Sequence, residues 1–583
     1  MNDYIKKNIN KIIGIFLILQ PFLDLLTGIC IHRFKMNITI GIVVRIIFLL
    51  FICFIVIFIF KKKKLLIPYL IIGIYFCFYV LGQYLYKNPV QLTEIQNLIK
   101  VFYFPILLIS LYSIKDYIRI SYLTLFTIIF FYLILLFVPI LLKVGYQSYE
   151  ITKSGTLGFF NSANEISGII SILTPILFIV FYESRKVIPI IILSIMYFVV
   201  ILMMGTKTPI LSLGITLGVS TLYLWFYLFK TKKYKYILCS LIVIIIGVIG
   251  LTLIIPKTNF YKNIRVHLDF LEIDHVTDVF KDKKLIDHFI FSSRLKFLNK
   301  KSMIYHKSNR YQKLFGIGYI NNNKNTKLIE MDYFDIYYSH GIVGFIVIFT
   351  IIIYVLFRTL HNNRKKSYEQ LMKETSLFFI IFLSFFTGHI ITAPSVSLLS
   401  IILILSLEVR LKKDLLFVNI KEKEQLNLLN NLDYKKYNVT LIIEEKERNL
   451  LKNVNKNITI EKIKENNNKN DTLEKLTDSI RILVYKIFNY HNYDFSCCFN
   501  IDNYRSNEMS KISSTNNSIY IYDNHKNEKE YKKIFESIKI YEYRYIIFNS
   551  KKTYNSFIKK NKELEGRAKV LNSSADMELI ING

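Results

Sequence analysis

The chain has 583 residues, 52% of them hydrophobic and 15% aromatic, with a single Trp. Its apolar runs are far longer than a soluble core requires, which excludes an ordinary globular protein and indicates a polytopic membrane protein. The formal net charge of +32 comes with the Lys, Asn and Ile enrichment that an AT-rich coding bias produces, so it is read as lysines facing anionic membrane lipids; nucleic acid is not an expected partner.

Runs of roughly 20 apolar residues predict about twelve transmembrane helices, at 11–30, 38–60, 65–86, 97–113, 120–142, 164–182, 187–204, 209–229, 236–256, 332–357, 376–392 and 394–410. The first is read as a retained helix and not a cleaved signal, because no small-residue cleavage site follows it. Basic clusters at Lys6-Lys7, 61–64, Lys115 with Arg119, Arg185-Lys186, 230–235, 364–366 and 410–413 fall at alternate ends of the spans. The positive-inside rule then places both termini in the cytoplasm and the long polar loop 257–331 outside. His32, Arg33 and Lys35 fall on the outer side against that rule. The six cysteines show neither disulfide nor zinc spacing, and no metal or cofactor is expected.

After Lys413 the pattern shortens to strand-sized pieces at 415–420, 438–443, 493–499, 519–522 and 545–548, with amphipathic stretches at 422–432, 472–489 and 551–562 between them. Alternating strands and helices predict a cytoplasmic α/β domain with a parallel, Rossmann-like sheet. The expected division is therefore 1–411 for the membrane domain and 412–583 for the tail. The Asn- and Lys-rich run 465–471 reads as a loop.

Ionisable residues inside spans are costly and each needs an account. Asp24, Arg45, Lys100, Glu165, Lys207 and Asp335 all fall, under this topology, in the outer half of the membrane or at its outer edge. Lys100 and Glu165 are also explained as interfacial side chains that reach water, and Asp24 with Arg45 as an ion pair between neighbouring helices. Together the six outline a polar, outward-facing pocket. Cations such as Lys207, Arg294 and Arg45 suit a diphosphate, and a nearby carboxylate suits removal of a proton from an attacking hydroxyl. Displacement of a lipid diphosphate by a sugar hydroxyl needs both.

Four motifs resemble the O-antigen ligase and polymerase superfamily, which includes teichuronic-acid-type polymerisation proteins. Gly158-Phe159-Phe160-Asn161-Ser162-Ala163-Asn164-Glu165 is similar to that family's glycine-then-asparagine entry into a central helix. Gly205-Thr206-Lys207-Thr208 stands where many members carry Ser-Arg, so Lys207 would take that Arg's role. Ser293-Arg294 resembles the Gly-Arg of the external loop, and Gly316-Ile317-Gly318 its Gly-Ile-Gly. Where members have His-Asn before a helix with Gly-x-x-Gly, this chain has Glu330-Met331 ahead of Gly341-Ile342-Val343-Gly344; Glu330, Asp332 and Asp335 thus remain alternatives for the base. The resemblance covers roughly 10–411. It implies transfer or polymerisation of undecaprenyl-diphosphate-linked glycan at the outer face of the cytoplasmic membrane, without a metal. It further implies Asn161, Asn164, Glu165, Gly316 and Gly318 as substrate contacts.

The tail is similar to the opening, acceptor-side half of two-domain, GT-B-fold glycosyltransferases, from Leu415-Leu416-Phe417-Val418 through Asn438-Val439-Thr440-Leu441, Tyr493-Asp494-Phe495 and Val570-Leu571-Asn572. Lys421-Glu422-Lys423-Glu424 replaces the glycine-rich turn of those enzymes. That departure implies a domain without a donor site, serving docking or pairing with a cytoplasmic glycosyltransferase. The competing function is a transporter or flippase of lipid-linked oligosaccharide, which predicts a cavity open to both faces and inverted repeats.

Overall fold

The computed structural model describes residues 2–36, 39–85, 92–149, 154–183, 187–321, 324–325, 327–361, 367–408, 412–444, 453–463, 472–489, 493–499, 504–513, 517–521, 542–571 and 573–582. The basic pair Arg185-Lys186, the cluster 364–366 and the run 465–471 lie outside the described residues. The chain forms two compact units, residues 1–118 with 125–409 and residues 119–124 with 410–583.

The first unit is helical. Nine of its described helices are long and apolar enough to cross a membrane: α1 (Asn2–His32), α2 (Ile40–Phe54, continued by a π turn to Ile59), α3 (Leu66–Leu85), α4 (Leu92–Ser113), α5 (Tyr122–Leu142), α6 (Ala163–Glu183), α8 (Lys207–Lys230), α9 (Tyr234–Ile254) and α14 (Asp332–His361). The remaining three expected spans are also helices: α7 (Val187–Met204), α15 (Tyr368–Phe386) and α16 (Pro394–Ser406). They fall short of a full span because α7 and α16 are short and α15 opens on Glu369, Lys373 and Glu374.

Burial separates the centre of this unit from its rim. The apolar stretch of α6 is 72% buried, whereas that of α9 is wholly unburied and faces what would be lipid. Small and hydroxylated residues let α6 pack closely on α8 and α15. Ser167 of α6 donates to Thr206 at 2.8 Å, and Thr174 meets the Tyr197 hydroxyl at 2.6 Å.

The polar loop is folded. It contains α10 (Asn259–Phe270) and α11 (Lys283–Phe289), which share a small core of Leu268, Val279 and Phe289, and α12 (Arg294–Lys307) and α13 (Arg310–Phe315), which pack on α14. It joins α14 at a break in that helix. Gly341 takes φ +68°, ψ −174°, interrupting the ladder and freeing the carbonyls of the preceding turn. Ile317 N–H then donates to the Tyr338 carbonyl (3.1 Å), Gly318 N–H to Ser339 (3.1 Å) and the Tyr75 hydroxyl to His340 (3.0 Å). Gly316, at φ +100°, lies directly on the backbone of Ser339 and His340, where no Cβ fits.

The second unit holds a seven-stranded, all-parallel sheet: β1 (Lys413–Val418), β2 (Tyr437–Glu444), β3 (Ile458–Ile463), β4 (Phe495–Cys498), β5 (Asn517–Ile521), β6 (Tyr545–Phe548) and β7 (Ala568–Val570), in the spatial order 3-2-1-4-5-6-7. That order is a doubly wound sheet whose strand direction of growth reverses beside β1. Described helices include α17 (Lys423–Asn430), α18 (Thr472–Asn489), α19 (Tyr504–Ser510), α20 (Lys551–Lys560) and α21 (Ser574–Asn582). Leu415, Phe417, Phe495 and Cys497 form its innermost layer with no exposed surface.

Candidate functional site

Three residues far apart in sequence meet where α12, the entry to α6 and the loop before α14 converge. Arg294 Nη2 donates to Glu330 Oε2 at 3.1 Å, and Asn164 Nδ2 donates to the same oxygen at 3.3 Å. Arg294 is placed by the turn before it. Ser292 and Ser293 both have left-handed backbones, and Asp287 accepts the N–H groups of Leu295 (2.9 Å) and Lys296 (3.1 Å), which caps the first turn of α12. Ser293 also meets His288 Nδ1 at 2.9 Å.

The state of this trio is chemically suggestive. The Arg294 side chain is 8% exposed, and its Nε is buried with no partner among the described residues. An unmatched guanidinium N–H in such a place is an open donor for an incoming oxygen. Glu330 is 35% exposed; the hydrogen bonds from Arg294 and Asn164 both fall on Oε2, and Oε1 accepts none among the described residues.

The two aspartates beside it are differently employed. Asp332 accepts five hydrogen bonds, from Ser384 (2.8 Å), His389 N–H (2.8 Å), Ile390 N–H (2.9 Å), Ile391 N–H (2.8 Å) and Thr392 (2.7 Å). Two carboxylate oxygens offer about four lone-pair sites. Asp332 is thus filled by the chain itself and pins the turn between α15 and α16. Asp335 accepts the N–H groups of Ile329 (3.0 Å), Glu330 (2.8 Å) and Met331 (3.3 Å) and pairs with buried Lys301 at 3.1 Å.

The other expected residues occupy separate surroundings. Arg45 is ion-paired with Asp24, donates to Gln20 at 3.0 Å, and shares Asp24 with the Tyr132 hydroxyl at 2.5 Å. This is the interhelical ion pair that its depth in the membrane allowed. Arg45 also lines a small cleft with Gln96, Lys100, Tyr103 and Pro394. Glu165, adjacent to Asn164, accepts from Ser395 at 2.5 Å, next to that cleft's Pro394. Lys207 begins α8, directs its ammonium to the Phe289 carbonyl and lies 3.8 Å from the centre of the Phe289 ring. Its neighbour His267 is held below the ordinary imidazole range, first by burial and then by the Lys207 and His288 charges. Asn161 is exposed. Gly316 and Gly318 build the junction at the α14 break. No group of three or more His, Cys, Asp or Glu among the described residues is arranged to hold a metal ion.

Sequence reasoning singled out Arg294, Glu330 and Asn164, which the fold brings into contact, and missed Lys301. Lys301 is seven residues after Arg294, two helical turns along the same face of α12. That spacing is the signal that was available for it.

A helical, polytopic membrane unit with a charged site at the mouth of the most buried of its nine long described helices is the class these features define. A family model for O-antigen ligase like membrane proteins matches the chain in two segments, residues 6–287 and 275–414. The chain belongs to that family, over nearly the extent that the four motifs indicated. No curated protein matches the chain.

Proposed function

We propose that this protein is a membrane glycosyltransferase that polymerises or ligates undecaprenyl-diphosphate-linked glycan during cell-surface polysaccharide synthesis. The family membership supports glycan joining at a membrane. The observation that carries the chemistry is the Arg294–Glu330–Asn164 trio, with one carboxylate oxygen and one buried guanidinium N–H left for ligands.

In this reading Glu330 takes the proton of an acceptor sugar hydroxyl as that oxygen bonds to the anomeric carbon. The bond from that carbon to the diphosphate breaks, and its electron pair leaves with undecaprenyl diphosphate. Protonation of Glu330 weakens its hold on Arg294, so the guanidinium charge becomes available to the leaving group as negative charge develops there. Asn164 orients Glu330, and Asn161 and Glu165 flank the acceptor. Lys207 supplies a second cation once its ammonium leaves the Phe289 carbonyl; Arg45, buried and held by Asp24 and Gln20, takes no part in the reaction as drawn. Gly316 and Gly318 act on substrate only through the shape of the loop. The reaction as drawn uses no metal. Lys207→Arg is expected to retain most activity and Lys207→Ala to lose about a hundredfold, measured as glycan joined in isolated membranes.

The orientation belongs to the same proposal: loop 257–331 outside the cytoplasmic membrane, the tail and both termini inside, with all twelve helices spanning. In intact cells an impermeant thiol reagent is expected to label a cysteine placed at 300 and to miss one at 563. The opposite pattern would overturn the mechanism's location.

For the tail we propose a docking domain derived from a GT-B-type half, pairing with a cytoplasmic glycosyltransferase. Support comes from the doubly wound strand order and from the start of α17. There Gln425 Oε1 accepts the N–H groups of Lys421 (3.0 Å) and Glu422 (3.2 Å), so the turn that would cradle a phosphate is closed by its own side chain. Calorimetry on the 410–583 fragment is expected to show no binding of UDP- or GDP-sugars. Micromolar binding would make the chain bifunctional.

The experiment that tests the function is deletion of the gene followed by extraction of lipids. Lipid-linked glycan is expected to accumulate, as single repeat units for a polymerase or as finished chains for a ligase. An unchanged lipid profile contradicts both.

A further inference from the structure

We propose that Lys301 and Asp335 form a positioning pair that sets the geometry of Arg294 and Glu330, an inference that rests on the reading of those two as the reactive residues. Each member of the buried pair is joined to one member of the reactive pair by rigid backbone. Lys301 and Arg294 share α12 and one face of it, seven residues apart, a rise of roughly 10 Å. Asp335 accepts the N–H of Glu330 itself, together with those of Ile329 and Met331 on either side. Lys301 then ties α12 to α14 through Asp335 at 3.1 Å and Ser339 at 2.8 Å. Both side chains are buried, and their polar atoms are taken up by each other, by Ser339 and by the 329–331 N–H groups, so the pair acts through its neighbours.

The backbone it controls is unusual. Glu330 is a non-glycine residue at φ +64°, a conformation that persists only where its surroundings impose it. Three consecutive N–H groups gathered on one carboxylate are such surroundings. On the other side, the Glu330 carbonyl lies against Gly388, at the turn that Asp332 pins through His389, Ile390 and Ile391. Glu330 is therefore held from two directions by aspartates that are themselves fully occupied. Losing the Lys301–Asp335 bond would release α12 and the 329–331 segment from each other, and Arg294 would no longer be fixed against Glu330. The polar surroundings continue through Tyr319. Its ring lies 5.5 Å from the Lys301 ammonium, and its phenol is pushed well up, by burial first and then by the Asp335 and Glu94 carboxylates, so it stays protonated.

The test uses the full-length protein in membranes, with lipid-linked glycan extracted from cells lacking the chain as the probe. The double variant Lys301→Met with Asp335→Asn removes both charges at once and so leaves no single buried ion behind. Per folded protein, we expect its kcat to fall on the order of a hundredfold, the effect of a small misplacement of reacting groups, with KM for the probe unchanged. The melting transition in detergent falls as well, because Asn has one carbonyl oxygen for the three N–H groups that Asp335 accepts. Lys301→Arg, which keeps the cation, is expected to restore most of the rate relative to Lys301→Met. Wild-type rates in the double variant, a rise in KM in place of a fall in kcat, or equal losses in Lys301→Arg and Lys301→Met would each overturn the inference. If Glu330→Gln and Arg294→Ala are inactive while the double variant is not, the positioning role alone fails. If Glu330→Gln is fully active, the underlying site assignment fails instead.

Discussion

Glu330→Gln and Arg294→Ala are each expected to lower glycan joining by at least about a hundredfold, with the protein still present in the membrane at its normal level. Gln keeps the length of the side chain and a carbonyl oxygen for Arg294 and Asn164, yet it takes no proton at neutral pH. Ala at 294 removes a guanidinium whose buried Nε has no partner among the described residues, and with it the charge beside Glu330. The contrast with the neighbouring aspartates is part of the expectation. Asp332→Asn replaces an acceptor of five hydrogen bonds by a group with one carbonyl oxygen, which leaves buried donors unmatched at about 1–3 kcal/mol each. Its loss should therefore register first as less folded protein. Full activity in Glu330→Gln, together with a catalytic loss in Asp335→Asn at normal protein level, would transfer the role of base to Asp335.

The second large effect is structural. Gly341→Val is expected to abolish the folded membrane unit, measured as loss of the monodisperse, cooperatively melting species in detergent. The left-handed backbone at Gly341 alone costs a side chain about 1–3 kcal/mol. An added Cβ would in addition meet the Leu314 carbonyl and the Gly316 nitrogen, backbone atoms that cannot swing aside. At Gly214, in the exposed middle of α8, a methyl group in place of the hydrogen would meet nothing within 4 Å. Gly214→Ala should therefore be neutral or stabilising by a few tenths of a kcal/mol up to about 1 kcal/mol. A Gly341→Val protein that melts like wild type would mean that the α14 break does not organise the loop.

The helical unit was legible because lipid imposes a length: each run of apolar residues had to become a helix, and every expected span did. Whether α15 and α16 cross the membrane is less legible, since the charge of the one and the shortness of the other go with packing against α6 and α4, which hydropathy does not register. In the tail, β1, β2, β4, β5 and β6 were visible as short apolar runs. The edge strands were not: Ile458-Thr459-Ile460-Glu461 alternates as a half-exposed strand does, and Ala568-Lys569-Val570 is too short to stand out.

At the site, residue type and motif order were enough to select Arg294, Glu330 and Asn164. They did not rank Glu330 against Asp332 and Asp335, because what separates the three is how far the fold buries each and how many hydrogen bonds it directs at them. Arg45 illustrates the same limit. Its depth in α2 is visible in sequence, but its pairing with Asp24 and Gln20 depends on the packing of α1 against α2. Gly316-Ile317-Gly318 looked like a loop made for a ligand, and the N–H groups of Ile317 and Gly318 instead serve carbonyls released at Gly341, while that of Gly316 closes the end of α13 on Gln312.

The most direct test of the central claim follows the lipid itself. Purified full-length protein in vesicles is supplied with lipid-linked glycan extracted from the deletion strain, and free undecaprenyl diphosphate and joined glycan are measured together. The two are expected to appear in equal amounts, and both to disappear with Glu330→Gln. Movement of intact lipid-linked glycan across the bilayer, with no diphosphate released, would contradict it and identify a transporter.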